Sequence, residues 1–301
     1  QALRRALAAR SFDGVVIDQA ANGWALADLP PDLPLLYLSH NHEAVVRKEV
    51  ASAQEGSLPM RMALRLDASK YAALERRVCA RAKAISAITP RDEKHYRAEF
   101  PDKDYVQLTP GFEGTIPDSP PAAITDETPR RVVLAGTFEW IAKRRNLEAF
   151  LRDAEKPFQA KNIGFHVVGK AKPAYFNELS QRFPWATFTP NVPSMEPHLR
   201  EARMGLIPEA LGGGFKLKAL DYIFHGLPLA SIRSALSGLP LTPGEDVIAA
   251  ETTRELAQRV ADAIDQTDQL NHFAGRALDQ CRGAFDWTDR GHTLASAILR
   301  L

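Results

Sequence analysis

The stretch from Gly205 to Ala230 constrains this chain more than any other. A short apolar run ends in Ile207-Pro208, three glycines stand at 212–214, a helical segment carries Leu217, Leu220 and Phe224, and Gly226-Leu227-Pro228 closes it before a second apolar run. That order reads as strand, glycine loop, helix, strand. Leu217, Leu220 and Phe224 recur at i, i+3 and i+7 and predict one apolar stripe, with Lys218, Asp221 and His225 on the opposite side. Gly226 supplies a left-handed residue to end the helix, and Pro228 keeps it ended. The three glycines lack every Cβ ahead of the first turn, so the backbone N–H groups there can close on something flat or bulky, and a helix start favours anions.

Two lysines break a local rule in that loop. Lys216 and Lys218 fall in the first turn, where a cation opposes the helix dipole by about 0.3 to 1 kcal/mol. A bound anion resolves the conflict; a surface pair from Lys218 to Asp221 and a plain loop is the alternative.

The motif Gly-Gly-Gly-Phe-Lys-Leu-Lys-Ala-Leu-Asp, after Ile-Pro and before His-Gly-Leu-Pro, resembles the donor-site signature of glycosyltransferase family 4, also described as glycosyl transferases group 1. The resemblance implies the GT-B fold: an α/β protein of two Rossmann-like doubly wound domains facing across a cleft. It implies that Asp221, where the family more often has Glu, holds ribose hydroxyls of a nucleotide sugar. Gly212, Gly213, Gly214 and Phe215 would form the loop at sugar and diphosphate, with Lys216 and Lys218 acting on the departing diphosphate.

Length and composition agree with two domains. At 301 residues the chain can bury two cores, and 45% hydrophobic and 25% charged residues are ordinary for a globular protein. A formal net charge of +1 gives no pull toward nucleic acid. Cys79 and Cys281 have no metal-type spacing, so a reduced, cytoplasmic setting fits better than a disulfide framework. No apolar run approaches the ~20 residues of a membrane helix.

Along the chain, a basic helix (1–10) precedes strands predicted over 12–18, 33–38, 84–88 and 105–109. Asp18 ends the first strand, where ligands of open α/β sheets bind. The second runs into Ser39-His40-Asn41-His42-Glu43, and no further Cys or His at ligand spacing supports a metal there. The turn resembles the family's His-Asn-x-Glu, which carries His40 over as a group near the reacting sugar. Arg61, Arg65, Arg76, Arg77 and Arg81 lie on a long helical segment; a solvated face explains them, and the sharper reading is peripheral contact with an anionic membrane. Thr89 and Pro90 read as N-cap and first helical residue.

The expected domains are 1–112 plus a return helix 285–301, a proline-rich linker 113–130, and 131–284. In the second domain, Gly136 with Lys143 seven residues later matches the family's phosphate-binding strand-to-helix loop. Gly169 ends a Val-Val-Gly turn like the family's, and Asn191 lies in the 187–192 segment, placed after a short strand, where the family reads the base.

The resemblance implies transfer of a hexose from a nucleotide diphosphate sugar to a hydroxyl acceptor, glycan or lipid-linked, with retention. No cofactor and no metal are expected. The rivals are a nucleotide-sugar epimerase and a non-catalytic sugar-nucleotide-binding protein. Only about four strands can be found before Gly111, so the first sheet is expected to lack one to three strands and the protein to turn over poorly.

Overall fold

The computed structural model describes residues 2–53, 57–119 and 121–301. The chain divides into two compact units: Gln1–Gly111 with Gly212–Phe215 and Asp286–Leu301, and Phe112–Leu211 with Lys216–Phe285.

In the first unit a short helix, α1 (Ala2–Ala9), precedes β1 (Val15–Asp18), a 3-10 helix (Ala20–Asp28) and β2 (Leu35–Leu38). Then come α2 (Glu43–Ala53), α3 (Leu58–Arg81), β3 (Ala84–Ala87), α4 (Pro90–Glu99) and β4 (Asp104–Gln107). The four strands are parallel and lie in the order β1-β2-β3-β4. Four is the number of strands the sequence predicts before Gly111. Because spatial order follows chain order, this sheet has no point among the described residues where the winding reverses.

Alternation along the strands sends side chains to two faces, as the period of two demands. Ile17, Leu35, Tyr37 and Ile85 join Val78, Cys79 and Tyr96 on one face. Leu36 and Ala84 join Ala297 on the other, with Leu294 and Ile298 against them. The last three come from the segment after Asp286, so the C-terminal helix completes the core of the first unit.

Glu75 organises the turn after β2. Only 2% exposed, it accepts the Tyr96 hydroxyl at 2.6 Å, the Tyr37 hydroxyl at 3.1 Å, and the amides of Glu43 and Ala44 at 3.0 and 2.9 Å. A buried carboxylate thereby occupies the anion-favouring start of α2. Thr89 caps α4 as expected, accepting the Asp92 amide at 3.1 Å.

The second unit contains β5 (Arg131–Thr137), α5 (Ile141–Ala160), β6 (Gly164–Lys170), α6 (Pro173–Arg182), β7 (Ala186–Pro190) and α7 (Glu196–Arg200). It continues with β8 (Met204–Ile207), α8 (Lys218–Phe224), β9 (Leu229–Ile232), β10 (Ile248–Ala250), α9 (Thr253–Ala263) and α10 (Thr267–Cys281). The helix α11 (Trp287–Ile298) belongs to the first unit. Six parallel strands are ordered β10-β9-β8-β5-β6-β7, so the winding reverses between β5 and β8. The segment 187–192 does not follow a strand; most of it is β7 itself, and Asn191 comes directly after.

Among its described residues the proline-rich segment 113–130 has no strand or helix, yet it is fastened to the second unit. Asn271 exchanges two hydrogen bonds with the Ile124 backbone, both 2.8 Å. Buried Arg203 donates to the carbonyls of Thr128, Asp126 and Ile264.

Candidate donor site in the second unit

Ligands of doubly wound sheets bind beyond the carboxyl ends of the strands where the winding reverses. Here that place lies between β5 and β8. The two strands pair only at Val132–Met204 and Val133–Gly205, and then they part. Tyr222, fully buried on α8, fills the opening: its hydroxyl accepts the Ala135 amide at 2.7 Å and reaches the Leu206 carbonyl at 3.4 Å. Gly205 is glycine because any Cβ there would enter the Tyr222 ring.

Beyond these strand ends three lysines meet one carboxylate. Glu209, two residues after β8, is 3% exposed. Its Oε1 lies 2.8 Å from Lys143 Nζ and 2.5 Å from Lys218 Nζ, and its Oε2 lies 2.7 Å from Lys143 Nζ and 3.4 Å from Lys216 Nζ. Burial opposes the charge on Glu209, but Lys218, Lys143 and Lys216 outweigh it and hold the carboxyl far below the usual range. Lys218 is the mirror case. Burial pushes its ammonium down to about 8, against the pull of Glu209 and with the help of Lys143. Asn146, on α5, steadies the loop by exchanging hydrogen bonds with the Leu211 backbone at 2.9 and 3.0 Å.

The helix reading changes here. Leu217 precedes α8 and is 53% exposed, while Lys218 begins the helix and points inward to Glu209. The expected stripe of Leu217, Leu220 and Phe224 is replaced by an inward set of Ala219, Leu220, Tyr222, Ile223 and Phe224. Lys218 also makes no pair with Asp221. The anion that relieves the two lysines is supplied by the chain itself, from a residue the motif does not mark.

Three more predicted residues sit beside this cluster. Lys218 Nζ lies 3.6 Å from where a Cβ on Gly136 would stand. Gly169 has φ +138°, and a Cβ there would collide with the Gly136 carbonyl. Asn191, at φ 56°, donates its amide to the Gly169 carbonyl at 2.9 Å. Gly136, Lys143, Gly169, Asn191, Lys216 and Lys218 are thus gathered at the carboxyl end of one sheet. Asp221 lies a turn further along α8 with solvent access; partial burial raises its carboxyl, and His225 counteracts this. Gly226, at φ +74°, ends that helix as the sequence predicts.

The remaining predicted residues belong to the first unit. Gly212, Gly213, Gly214 and Phe215 pack there. A Cβ on Gly214 would strike the Asn41 side chain, and one on Gly213 would strike Val46, so these two glycines close on protein, while a Cβ on Gly212 would meet nothing within 4 Å. His40 stands just after β2, and its Nε2 lies 2.7 Å from Asp18 Oδ1. A carboxylate can only accept, so Nε2 carries the proton, and the Gln19 amide donates to Nδ1 at 3.2 Å. Both ring nitrogens are therefore engaged. Among the described residues no group of three or more His, Cys, Asp or Glu is arranged to hold a metal ion.

Sequence reasoning missed Glu209 and Tyr222. Glu209 is visible only as a carboxylate beside Pro208 at a strand end, and nothing in the spacing ties it to Lys143, 66 positions away.

The model of the family described as "Glycosyl transferases group 1" matches residues 129–266. No curated protein is similar in sequence. Among solved structures, Staphylococcus aureus TarM superposes with a TM-score of 0.72 at 9% identity over 98% of this chain, which spans 58% of TarM. Sucrose-phosphate synthase from Thermosynechococcus elongatus gives 0.74 at 15% identity, covering 98% of this chain and 75% of that one. Anabaena HepE, solved with UDP and glucose, gives 0.68 at 13% identity, covering 99% and 81%. The segment holding the lysine cluster matches the glycosyl transferases group 1, and the chain around it has the α/β fold of the GT-B glycosyltransferases it resembles.

Proposed function

We propose that this protein is a glycosyltransferase that takes a hexose from a nucleotide diphosphate sugar to a hydroxyl acceptor, glycan or lipid-linked, with retention. The observation that carries this reading is the gathering of Lys143, Lys216 and Lys218 where the second sheet reverses its winding, inside the segment matched by the family. TarM and HepE, which share the fold, were both solved with UDP.

In the proposed reaction the bond from the anomeric carbon to the β-phosphate oxygen breaks, and its electron pair stays on the diphosphate. The acceptor oxygen bonds to that carbon, and its proton passes to the departing phosphate. The main electrostatic demand is the charge growing on the diphosphate, which fixed cations in a shielded site meet without reorganisation. Lys143, Lys216 and Lys218 take that role, so no metal or cofactor is required. Gly136 and Gly169 let the backbone approach the diphosphate, Asn191 lies toward the base, and Asp221 holds the ribose. The Gly212–Phe215 loop and His40 serve the sugar. Asp18 and Gln19 fix the His40 ring, so it acts by orientation or by donating from Nε2 once Asp18 yields.

A panel of nucleotide sugars read by thermal shift tests the donor site, and labelled donor with a hydroxyl acceptor tests turnover. Stabilisation by a nucleotide diphosphate sugar, unchanged by EDTA, is expected. Loss of the shift on adding EDTA overturns metal independence. Binding without transfer or slow hydrolysis leaves a sugar-nucleotide-binding protein, and an epimerised sugar identifies the other rival.

Contact with an anionic membrane is proposed more narrowly than the arginine pattern suggests. Arg76 pairs with Glu99, and Arg81 donates to the Pro30 and Leu33 carbonyls. At the start of α3, however, Leu58, Met62 and Leu66 are exposed at spacings of four, beside Arg61 and Arg65. Apolar side chains flanked by cations suit an anionic interface. Sedimentation with phosphatidylglycerol vesicles and not with phosphatidylcholine ones is expected; equal recovery with both overturns it.

A further inference from the structure

We propose that the carboxyl ends of β1 and β2 form a subsite for a saccharide acceptor, in which Asp18 accepts a hydroxyl of a sugar ring and Trp24 lies against the C–H face of that ring. This rests on the glycosyltransferase reading, and it uses residues of the first unit only.

Three side chains meet at that end of the sheet, and their hydrogen bonds can be followed atom by atom. His40 Nε2 lies 2.7 Å from Asp18 Oδ1, and the Gln19 amide meets His40 Nδ1 at 3.2 Å. Both imidazole nitrogens are thereby used. Asp18 Oδ2 has no protein donor among the described residues, and its side chain is 56% exposed. The imidazole steadies the carboxylate as much as the carboxylate steadies the ring. The atom of this trio left for a substrate is therefore on Asp18, while His40 acts by orientation. A fixed carboxylate oxygen can only accept, and a hydroxyl is the neutral donor that bonds to it strongly.

The backbone leaves its ordinary range to make this trio. Gln19 sits at φ 66° and ψ 147°, a region that side chains avoid. The other non-glycine residues at positive φ among the described ones, Asn162 and Asn191, are asparagines, the type most at ease there. The Gln19 N–H donates to the Leu38 carbonyl at 2.9 Å and Asn22 Nδ2 to the Asp18 carbonyl at 2.6 Å, so sheet and turn hold the bend. Glycine would adopt it without strain and leave His40 Nδ1 without its partner. Glutamine keeps both the strain and the contact, which marks a site rather than a plain connection.

From Gln19 the chain enters the 3-10 helix, in which residues three apart share a face. Gly23 is pressed against α3, since a Cβ there would enter Leu74 and Val78. Its neighbour Trp24 turns outward and is 62% exposed. Four residues of 3-10 helix span about 8 Å, so the indole and the carboxylate lie within reach of one disaccharide-sized ligand. A pyranose ring offers hydroxyls to the carboxylate and C–H groups to the indole; an anion would be repelled by Asp18.

The test titrates the whole protein, with and without UDP, with the methyl glycosides of glucose, galactose, mannose and N-acetylglucosamine. NMR reads the Trp24 indole N–H, assigned by its loss in Trp24→Phe, and the His40 ring nitrogens. At least one glycoside is expected to move both sets of signals. Asp18→Asn, read at Trp24, and Trp24→Ala, read at His40, should each weaken that binding about tenfold or more, with the affinity for UDP unchanged. Gln19→Gly should melt at a higher temperature and bind the glycoside less well. If no glycoside moves the signals in either condition, or if either of the first two variants binds as tightly as the unsubstituted protein, the subsite is overturned. A lower melting temperature in Gln19→Gly overturns the assignment of the trio as a site built under strain. A protein that binds a glycoside in this way and takes no UDP keeps the subsite and loses the glycosyltransferase reading; one that binds UDP and no glycoside does the reverse.

Discussion

The Tyr222 hydroxyl accepts the Ala135 amide at 2.7 Å where β5 loses β8 as its partner. A strand amide that leaves its ladder inside a protein needs a new acceptor, and the helix that brings Lys218 to the site also brings that acceptor. Tyr222→Phe keeps the ring over Gly205 and removes the oxygen. We expect it to lower stability by about 1 to 3 kcal/mol, the cost of an unsatisfied buried amide, and to speed hydrogen exchange at Ala135. Exchange unchanged at that amide would mean that it has another partner.

Gly169 tests the close approach of β5 and β6 at their carboxyl ends. Its φ of +138° disfavours any side chain, and a Cβ would meet the Gly136 carbonyl. Gly169→Ala should destabilise the second unit by about 2 to 4 kcal/mol through strain and displaced backbone. A denaturation midpoint equal to that of the unsubstituted protein would contradict that close approach.

The two halves of the site were unequally legible in the sequence. Local chemistry announced its own elements: Gly226 as a helix stop, Thr89 as a cap, and Gly136 and Gly169 as strand-end glycines. The inward turn of Lys218 was hidden because the helix begins one residue after Leu217, which shifts the face that a repeat of Leu217, Leu220 and Phe224 would define. Glu209 was hidden for another reason. Its partners come from α5 and from α8, and a pairing over 66 positions leaves no local periodicity to read.

Acid should weaken the second unit through His166. Burial first, then His198 and Arg131, push its imidazole down to about 4 from 6.5. The folded state therefore favours the neutral ring, and the unfolded chain takes up the proton first as pH falls below 6.5. Stability is complete above that value and declines until about pH 4, by about 3 kcal/mol in all. His166→Gln should flatten part of this loss between pH 7 and 5 in thermal melts. An identical pH dependence in the variant would show that the ring is not the group responsible.

Glu75 predicts a stability defect in the other unit. Two tyrosine hydroxyls and two amides converge on its carboxylate. Glu75→Ala should cost at least about 3 kcal/mol, since several buried donors lose their acceptor at once, while Glu75→Gln, which keeps one acceptor oxygen, should cost less. Equal losses in the two variants would point to packing volume as the cause.

The placement of α11 bears on the order of folding. Its residues Leu294, Ala297 and Ile298 cover Leu36 and Ala84 on a sheet whose strands all come from the first 107 residues. During synthesis the second unit's strands and helices emerge before that cover does. Until residues past 286 leave the ribosome, the first sheet holds one face bare, and a nascent chain paused there presents apolar surface to chaperones or to aggregation.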